Sequence, residues 1–564
     1  MATPPRRKGS NAGATRGPCP MRRLPVGSPS RVPLLCKPPH GGCARAPGRG
    51  RIRSRRDHLA GLCGGCYTWR DMSFPLDTAA PPVPLRLPTP DRRALRRRAA
   101  RIVGVVVRRL GPPLARRLVG KTQPPTAFAR PLREVFETLG ATFVKFGQLV
   151  ASAPGAFGEA IADEFRSCLD TGPSVPFAEV RAAVELALGA TLEDAFASFE
   201  ETPIGRASIA VVHRARLRDG HTVAVKVLRP DIEAIVATDL RLMGPLFDFL
   251  AFRVGVPEAG QLVRMFDGFR EQLAEELDLR NEARAMEHHR RLVASLGLSM
   301  IVVPATFPEL SGQRVLTMDY LDGIPIDDVA GIAALGLQPR PLLEQLMRAW
   351  FITALRDGTF HADVHAGNVL LLRDGRAGVV DWGIVGRLDA TTHRFLRRTI
   401  EGALGDPSAW DDVAKDLYTA YGPALREGLG LDEPALAAFS RALMEPMLTR
   451  PFAEASLGSF LAAIQGKVAE AEGRAVERRG WRGELARFRR QRRLHVGVER
   501  YGGRGTAFDR GTFLLAKQLL YFERYGKMFL GDTSLLADRP FIESLLRAGP
   551  LSTAPDRETR PCSA

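Results

Sequence analysis

Hydrophobic and polar positions change period along this chain, and the changes mark out its parts. From about residue 91 to 200, apolar side chains recur at helical spacing. Leu132, Val135, Phe136 and Leu139 form one stripe, continued by Phe143, Phe146 and Leu149–Val150. Over 201–230 the period falls to two. Ser208–Leu217 and His221–Leu228 read as strands joined by a hairpin at Asp219-Gly220. A long charged helix is predicted over roughly 258–295, a short strand over Arg314–Tyr320, and a helix over 340–357. A second hairpin pairs Val369–Leu372 with Ala377–Val380 around Asp374-Gly375, and helical patterns fill most of the rest. That order predicts an α+β fold in two lobes. The expected parts are a helical extension over 91–200, a first lobe over 201–320 and a helical second lobe over 321–548. Loose segments are expected at 1–85 and 549–564.

Charge changes this picture only at the N-terminus. Residues 1–71 hold 15 Lys/Arg against 2 Asp/Glu, so of the formal +18 only +5 remains for the other 493 residues. The basic bias therefore belongs to a Pro/Gly/Arg-rich segment expected to be disordered, and no nucleic-acid partner is implied for the folded part. The text changes abruptly at Met72, which is a candidate true start. Five of seven cysteines lie before it, and Cys63-Gly-Gly-Cys66 has no second ligand pair, so a reducing, cytoplasmic setting without a disulfide framework is expected. No apolar run of about 18 residues suggests a membrane span. Arg92–Gly120, arginine-rich around Ile102–Val107 and Leu114–Val119, reads as a helical pair packed on the core. Its alternative is peripheral contact with an anionic membrane.

The chemistry gathers around the two hairpins. His361-Ala-Asp363-Val-His365-Ala-Gly367-Asn368 leads into the second hairpin, and Asp381-Trp382-Gly383 leaves it. Asp363 or Asp381 alone would be a turn cap or a strand end. Together with Asn368 they give oxygen ligands suited to a hard cation that shares its shell with phosphate. Their spacing matches the catalytic pattern of protein kinases. In the first hairpin, Val223, Val225 and Val227 face one side and Lys226 the other. A lysine on so apolar a strand needs an anionic partner, which nucleotide phosphates would supply. The preceding Gly205-Arg206-Ala207-Ser208 is small enough for backbone amides to approach phosphate, although it is not a G-x-G-x-x-G loop. A partner carboxylate for Lys226 is expected near Glu271–Glu287. There Asp278 and Glu282 share a helical face, and Glu276 could pair with Arg280.

These residues resemble the UbiB/AarF family of atypical kinases over about residues 130–390. Lys145-Phe-Gly147-Gln148 is similar to that family's K-x-G-Q signature, and Glu276-Leu-Asp278 to its E-x-D signature. Gly205-Arg206-Ala207-Ser208 corresponds to its alanine-rich nucleotide loop, with Gly205 where alanine usually stands. The resemblance implies a bilobal protein-kinase-like fold using ATP and Mg2+. It implies that Lys226 contacts phosphates and pairs with Glu282, that Asp363 is the catalytic acid/base, and that Asn368 and Asp381 bind magnesium. Met318, Asp319 and Leu321 would flank the adenine. Lys145 and Gln148 would lie on a helical segment that covers the site and contacts Glu276 or Asp278. Val364 and Ala366 replace the family's two catalytic-loop prolines, a change that spares the charged residues. Gly205 is expected to allow backbone angles closed to alanine, and Arg206 to add a cation beside the phosphates.

The family is associated with ubiquinone and isoprenoid-lipid metabolism, so the resemblance implies an ATPase or small-molecule kinase with a lipid or quinone precursor as partner. Two other readings stand beside it: a protein kinase acting in trans, and a non-catalytic nucleotide-binding regulator. Almost no chain separates Gly383 from the helix expected near 391, which argues against a long activation segment.

Overall fold

A computed structural model describes residues 82–118, 126–151, 159–165, 174–254, 257–424, 426, 430–455 and 510–551. The expectations for residues 1–81, including Met72 and Cys63–Cys66, and for the tail beyond 551 lie outside these residues.

Six helices come first: α1 (Arg92–Leu118), α2 (Thr126–Leu139), α3 (Ala141–Ala151), α4 (Glu159–Phe165), α5 (Phe177–Leu188) and α6 (Leu192–Ala195). Strands β1 (Ser198–Phe199), β2 (Gly205–Arg206), β3 (Ala210–Arg216) and β4 (Thr222–Leu228) follow. Next come α7 (Ile232–Val254), α8 (Pro257–Glu276), α9 (Leu279–Ser295), β5 (Ile301–Val302), β6 (Val315–Asp319) and β7 (Gly323–Pro325). The second half holds α10 (Val329–Ala334), α11 (Pro339–Ile352), β8 (Thr359–His361), β9 (Val369–Leu372), β10 (Ala377–Val379) and β11 (Val385–Arg387). Helices α12 (Ala390–Ala403), α13 (Pro407–Ala424), α14 (Glu433–Thr449), α15 (Arg510–Phe529) and α16 (Arg539–Ala548) complete the described chain. The architecture is α+β in two lobes.

The first lobe is an antiparallel sheet in the order β1-β3-β4-β6, with β2 added on β3. Its central strand β4 has no solvent face. Val223, Val225 and Val227 pack with Val180, Val184, Leu192 and Phe196 in one apolar cluster, while Ala224 and Leu228 belong to the main core. Helices α5 and α6 therefore pack with this sheet, although the apolar periodicity grouped them with the helices before it. The alternation turns Lys226 away from the valines and toward the cleft.

The helical reading of 258–295 needs correction. The run is broken at Leu277–Asp278, where Asp278 caps α9 by accepting from the Arg280 amide. Charge is continuous across the break, so periodicity alone hides it; a capping aspartate ends one helix and starts another. Asp278 and Glu282 do not form a pair on one continuous helical face, because Asp278 is the cap. Helix α7 was not anticipated. It buries Ile232, Val236, Leu240, Met243 and Phe247 on one face, but Ile235 and Leu246 stay exposed on the other, which weakens the amphipathic signal. Arg92–Leu118 is one helix running through Pro112 and Pro113, not a pair. It is anchored by Arg98, whose guanidinium donates to both oxygens of the fully buried Asp239 at 2.6 and 2.8 Å. Val103 and Val107 on the same helix stay exposed.

Candidate active site

The first hairpin brings in a cation. β4 pairs β6 with Lys226 opposite Leu316, deep in the sheet. Lys226 Nζ lies 2.9 Å from both oxygens of Glu282 and 2.8 Å from Asp381 Oδ1. Burial alone would lower the Lys226 pKa, but the two carboxylates outweigh it and raise the pKa above the usual lysine range. Glu282 is pushed up to about 7, chiefly by burial and further by Asp381 beside it, against the pull of Lys226. Asp381 is held below the usual carboxylate range: Lys226 and Lys145 overcome its burial. It also adopts a left-handed backbone (φ 56°), a conformation costly for a residue with a Cβ and typical of constrained sites.

The second hairpin positions the remaining polar groups. β9 and β10 pair in register around Val369 and Val379. Before β9 the chain makes a single 3-10 turn, in which the Gly367 amide donates to His365 Nδ1 at 3.1 Å. The Asn368 side-chain amide donates to the Asp363 carbonyl at 3.0 Å, which ties the loop's two ends together. After β10, Trp382 donates from Nε1 to the Val379 carbonyl at 2.8 Å. The Trp382 ring stacks between His289 of α9 (4.3 Å between centroids) and His361 of β8 (4.6 Å). This stack fixes the helix that carries Glu282 against the triplet that carries Asp381. β11 then pairs antiparallel with β8, and α12 begins at Ala390, so the chain is spent within a few residues of Gly383.

Helix α3 contributes Lys145 to the lining of the cleft. Lys145 Nζ lies 3.0 Å from Glu276 Oε2, while Gln272 donates to Glu276 Oε1 at 2.9 Å. Gly147 is buried and Gln148 half-buried on the same helix. Glu276 thus pairs with Lys145 and not with Arg280, whose guanidinium is held by Asp278 at 2.7 and 2.8 Å.

Not every anticipated residue converges. Lys145, Ala207, Lys226, Glu276, Asp278, Glu282, Asp363 and Asp381 all line one cleft. Met318, Asp319 and Leu321 do not line it, nor does the buried Asn368. Met318 is buried in the sheet, and the Asp319 carboxylate accepts from His221 Nε2 and from the Ala305 amide. Ser208 is buried and Arg206 exposed. Gly205 pairs with Val212 in regular strand, outside the left-handed glycines, and a Cβ there would meet Val212 at an ordinary 3.6 Å. The expectation that Gly205 supplies backbone angles closed to alanine is therefore corrected.

Three residues escaped the sequence reading. Arg229, buried after β4, donates to the Ala207 carbonyl at 2.9 and 3.1 Å and pins the tight turn in which Ala207 bonds back to Ala210. Lys517 and Tyr521 of α15 both reach Asp363 Oδ1, at 2.7 and 3.3 Å. Burial would raise the Asp363 pKa, but Lys517, His365 and Lys145 lower it to about 2. A lone lysine inside Phe513-Leu-Leu-Ala-Lys517-Gln-Leu-Leu was the available signal, since a buried ammonium requires an anion.

Residues 167–408 match the model of the ABC1 atypical kinase-like domain. An uncharacterised aarF domain-containing protein kinase of Arabidopsis thaliana, labelled chloroplastic, is 34% identical over 72% of this chain and 73% of its own length. An uncharacterised protein of Mycobacterium tuberculosis is 38% identical over 53% of this chain and 65% of its own. A probable protein kinase UbiB of Aeromonas hydrophila is 34% identical over 58% of this chain and 60% of its own. The chain thus spans just under two thirds of the last two relatives, and it belongs to the ABC1 family of atypical, UbiB/AarF-type kinase-like proteins.

Proposed function

We propose that this chain binds ATP with magnesium in the cleft and transfers or hydrolyses the terminal phosphate. The observation that carries the reading is Lys226 within hydrogen-bond reach of both Glu282 and Asp381. A buried ammonium fixed by a helix carboxylate is poised to take nucleotide phosphates, as in protein kinases. The donor set suits a hard cation. Asp381 keeps 40% of its side chain exposed, and Asn368 spends its amide hydrogen on the Asp363 carbonyl, leaving its oxygen as the remaining donor atom. Among the described residues no three His, Cys, Asp or Glu side chains could hold a metal together. So sparse a protein set fits magnesium, which completes its shell with phosphate and water. When bound, magnesium would neutralise charge on the transferring phosphoryl group. Asp363 would orient the attacking hydroxyl or water and accept its proton late, because its low pKa makes it a weak base.

A small-molecule or lipid acceptor fits better than a peptide. Helix α3 closes over the cleft through Lys145–Glu276, and β11 leaves no long segment to bind a polypeptide. The family resemblance and the UbiB name of several relatives point toward isoprenoid-lipid or quinone biosynthesis. No helix among the described residues is long and apolar enough to cross a membrane. Exposed Val103 and Val107 on the arginine-rich α1 would suit peripheral contact with anionic lipid. The test is magnesium-dependent ATP turnover by the full chain, with and without anionic vesicles carrying a quinone-precursor mimic. Turnover stimulated by the vesicles and abolished in Asp381→Asn is expected. Unchanged turnover in Asp381→Asn overturns the site.

A further inference from the structure

Asp363 is held by a cation that the two hairpins do not supply. Lys517 comes from α15, well beyond the residues that match the family model, and its Nζ sits 2.7 Å from Asp363 Oδ1. Tyr521, one turn further along the same face, donates to that oxygen at 3.3 Å. The Lys517 and Asp363 side chains are each only 16% exposed.

Helix α15 is built into the second lobe. Leu514, Leu515, Phe522 and Tyr525 are buried, and Phe522 stands edge-on to Trp350 at 5.2 Å. Gly526 abuts the Phe452 ring so closely that a Cβ would overlap it. Moving Lys517 away from Asp363 by swinging the helix would dismantle this packing, so Lys517 is not a detachable plug. It is fixed behind the cleft against Asp363, which lines it.

Its position follows from the geometry of phosphoryl transfer. A base must lie within about 3 Å of the attacking oxygen, and that oxygen within about 3.5 Å of the phosphorus. These spans leave a cation hydrogen-bonded to Asp363 within side-chain reach of the equatorial oxygens of the γ-phosphoryl group. An ammonium has three N–H donors. One is taken by Asp363, leaving capacity for an incoming anion. Lys226, held by Glu282 and Asp381, stands on the sheet side of the cleft, and Lys145 pairs with Glu276. Within the loop from Asp363 to Asn368 the only basic residue is His365.

We propose that Lys517 is a γ-phosphate ligand, delivered to the catalytic aspartate by α15, and that Tyr521 positions Asp363 beside it. This rests on the reading of the cleft as an ATP site. In the step it serves, the attacking O–H gives its proton to Asp363 as the new O–P bond forms and the bond to the ADP oxygen breaks. Lys517 stays protonated throughout and stabilises the charge on the oxygens being transferred. It touches only the group that ADP lacks.

The test compares binding of magnesium β,γ-imido-ATP and magnesium ADP to the full-length protein by calorimetry. In Lys517→Met the imido analogue should bind about tenfold more weakly, the loss of one charge-assisted hydrogen bond. ADP affinity should stay within about twofold by the same reasoning, and Lys517→Arg should recover most of the analogue's affinity. Equal loss of both nucleotides in a folded Lys517→Met, no loss of either, or tighter binding with faster turnover would each overturn the proposal. A wild-type protein that binds neither nucleotide would sink the ATP reading itself, which is a different failure. Should Lys517→Met not fold, the wild type still decides. The imido analogue, and not ADP, should slow acylation of Lys517 by an amine reagent in peptide mapping, and equal labelling under both contradicts the assignment.

Discussion

Two lysines close on the two aspartates of the cleft, and they are held in different ways. Lys226 stands on the central strand of a sheet, is almost fully buried and serves two carboxylates, Glu282 and Asp381. Lys517 stands on a helix at the far end of the chain, keeps slightly more solvent contact and serves Asp363 alone, with Tyr521 as neighbour. The first arrangement couples the sheet, α9 and the triplet after β10 into one unit. The second couples the loop that carries Asp363 to α15. A buried cation with two acid partners should matter more to the fold, and the more exposed one more to what enters the cleft.

The comparison can be broken from its stronger side first. Lys226→Ala leaves Glu282 and Asp381 facing each other without a cation, and unfolding by urea should show a loss of about 3–5 kcal/mol. Glu282→Gln added to it should recover part of that. Breaking the weaker side with Lys517→Met should cost about 1–2 kcal/mol, because Asp363 retains Tyr521 and some solvent. A larger loss than that of Lys226→Ala would reverse the ranking.

The stack behind Asp381 sharpens the picture through pH. His289, its Nδ1–H donating to the Ala285 carbonyl, is held near pKa 3 by burial and by neighbouring His288. Its folded pKa lies below the unfolded value near 6.5, so the unfolded chain takes up a proton first. Stability is then lost as pH falls from about 6.5 toward 3, at about 1.4 kcal/mol per pH unit from this group. His361, also lowered by burial, adds to the same trend. His289→Phe keeps a ring on Trp382 and should remove about one proton's worth of acid destabilisation, whereas Glu282, with its raised pKa, adds stability as pH falls from about 7 and is unaffected by the change. An unchanged slope in chemical denaturation across pH 7 to 5 would contradict the buried neutral imidazole. The smallest effects belong to the edges of the site. Tyr521→Phe removes one long hydrogen bond and should cost under about 1 kcal/mol. Gly205→Ala should be neutral to within about 0.5 kcal/mol, since the backbone there is ordinary strand and a Cβ has room.

The difference between the two lysines is also a difference in what the sequence could tell. Both hairpins were readable because alternating valines and Asp-Gly turns are local signals. Lys226, Glu282, Asn368 and Asp381 carry motif spacing as well. The helix α7 was not readable because exposed apolar residues such as Ile235 and Leu246 blur the contrast with its buried stripe. The break at Asp278 was hidden within continuous charge. Lys517 meets Asp363 only through the packing of α15 on α11 and β11, and no spacing in the chain announces a contact made across 154 residues. Gly205 failed in the opposite sense, since its residue type suggested a special backbone that the strand pairing does not require.

The central claim is that the cleft between Lys226 and Asp381 binds nucleotide through a magnesium ion. It is tested most directly by calorimetric titration of the full-length wild type and Asp381→Asn with ATP, each with magnesium and with EDTA. The account predicts micromolar-range binding by the wild type that needs magnesium, and a loss of about a hundredfold or more in Asp381→Asn, the scale of a missing charged ligand. Equal affinity in the two proteins, or binding indifferent to magnesium, would contradict it.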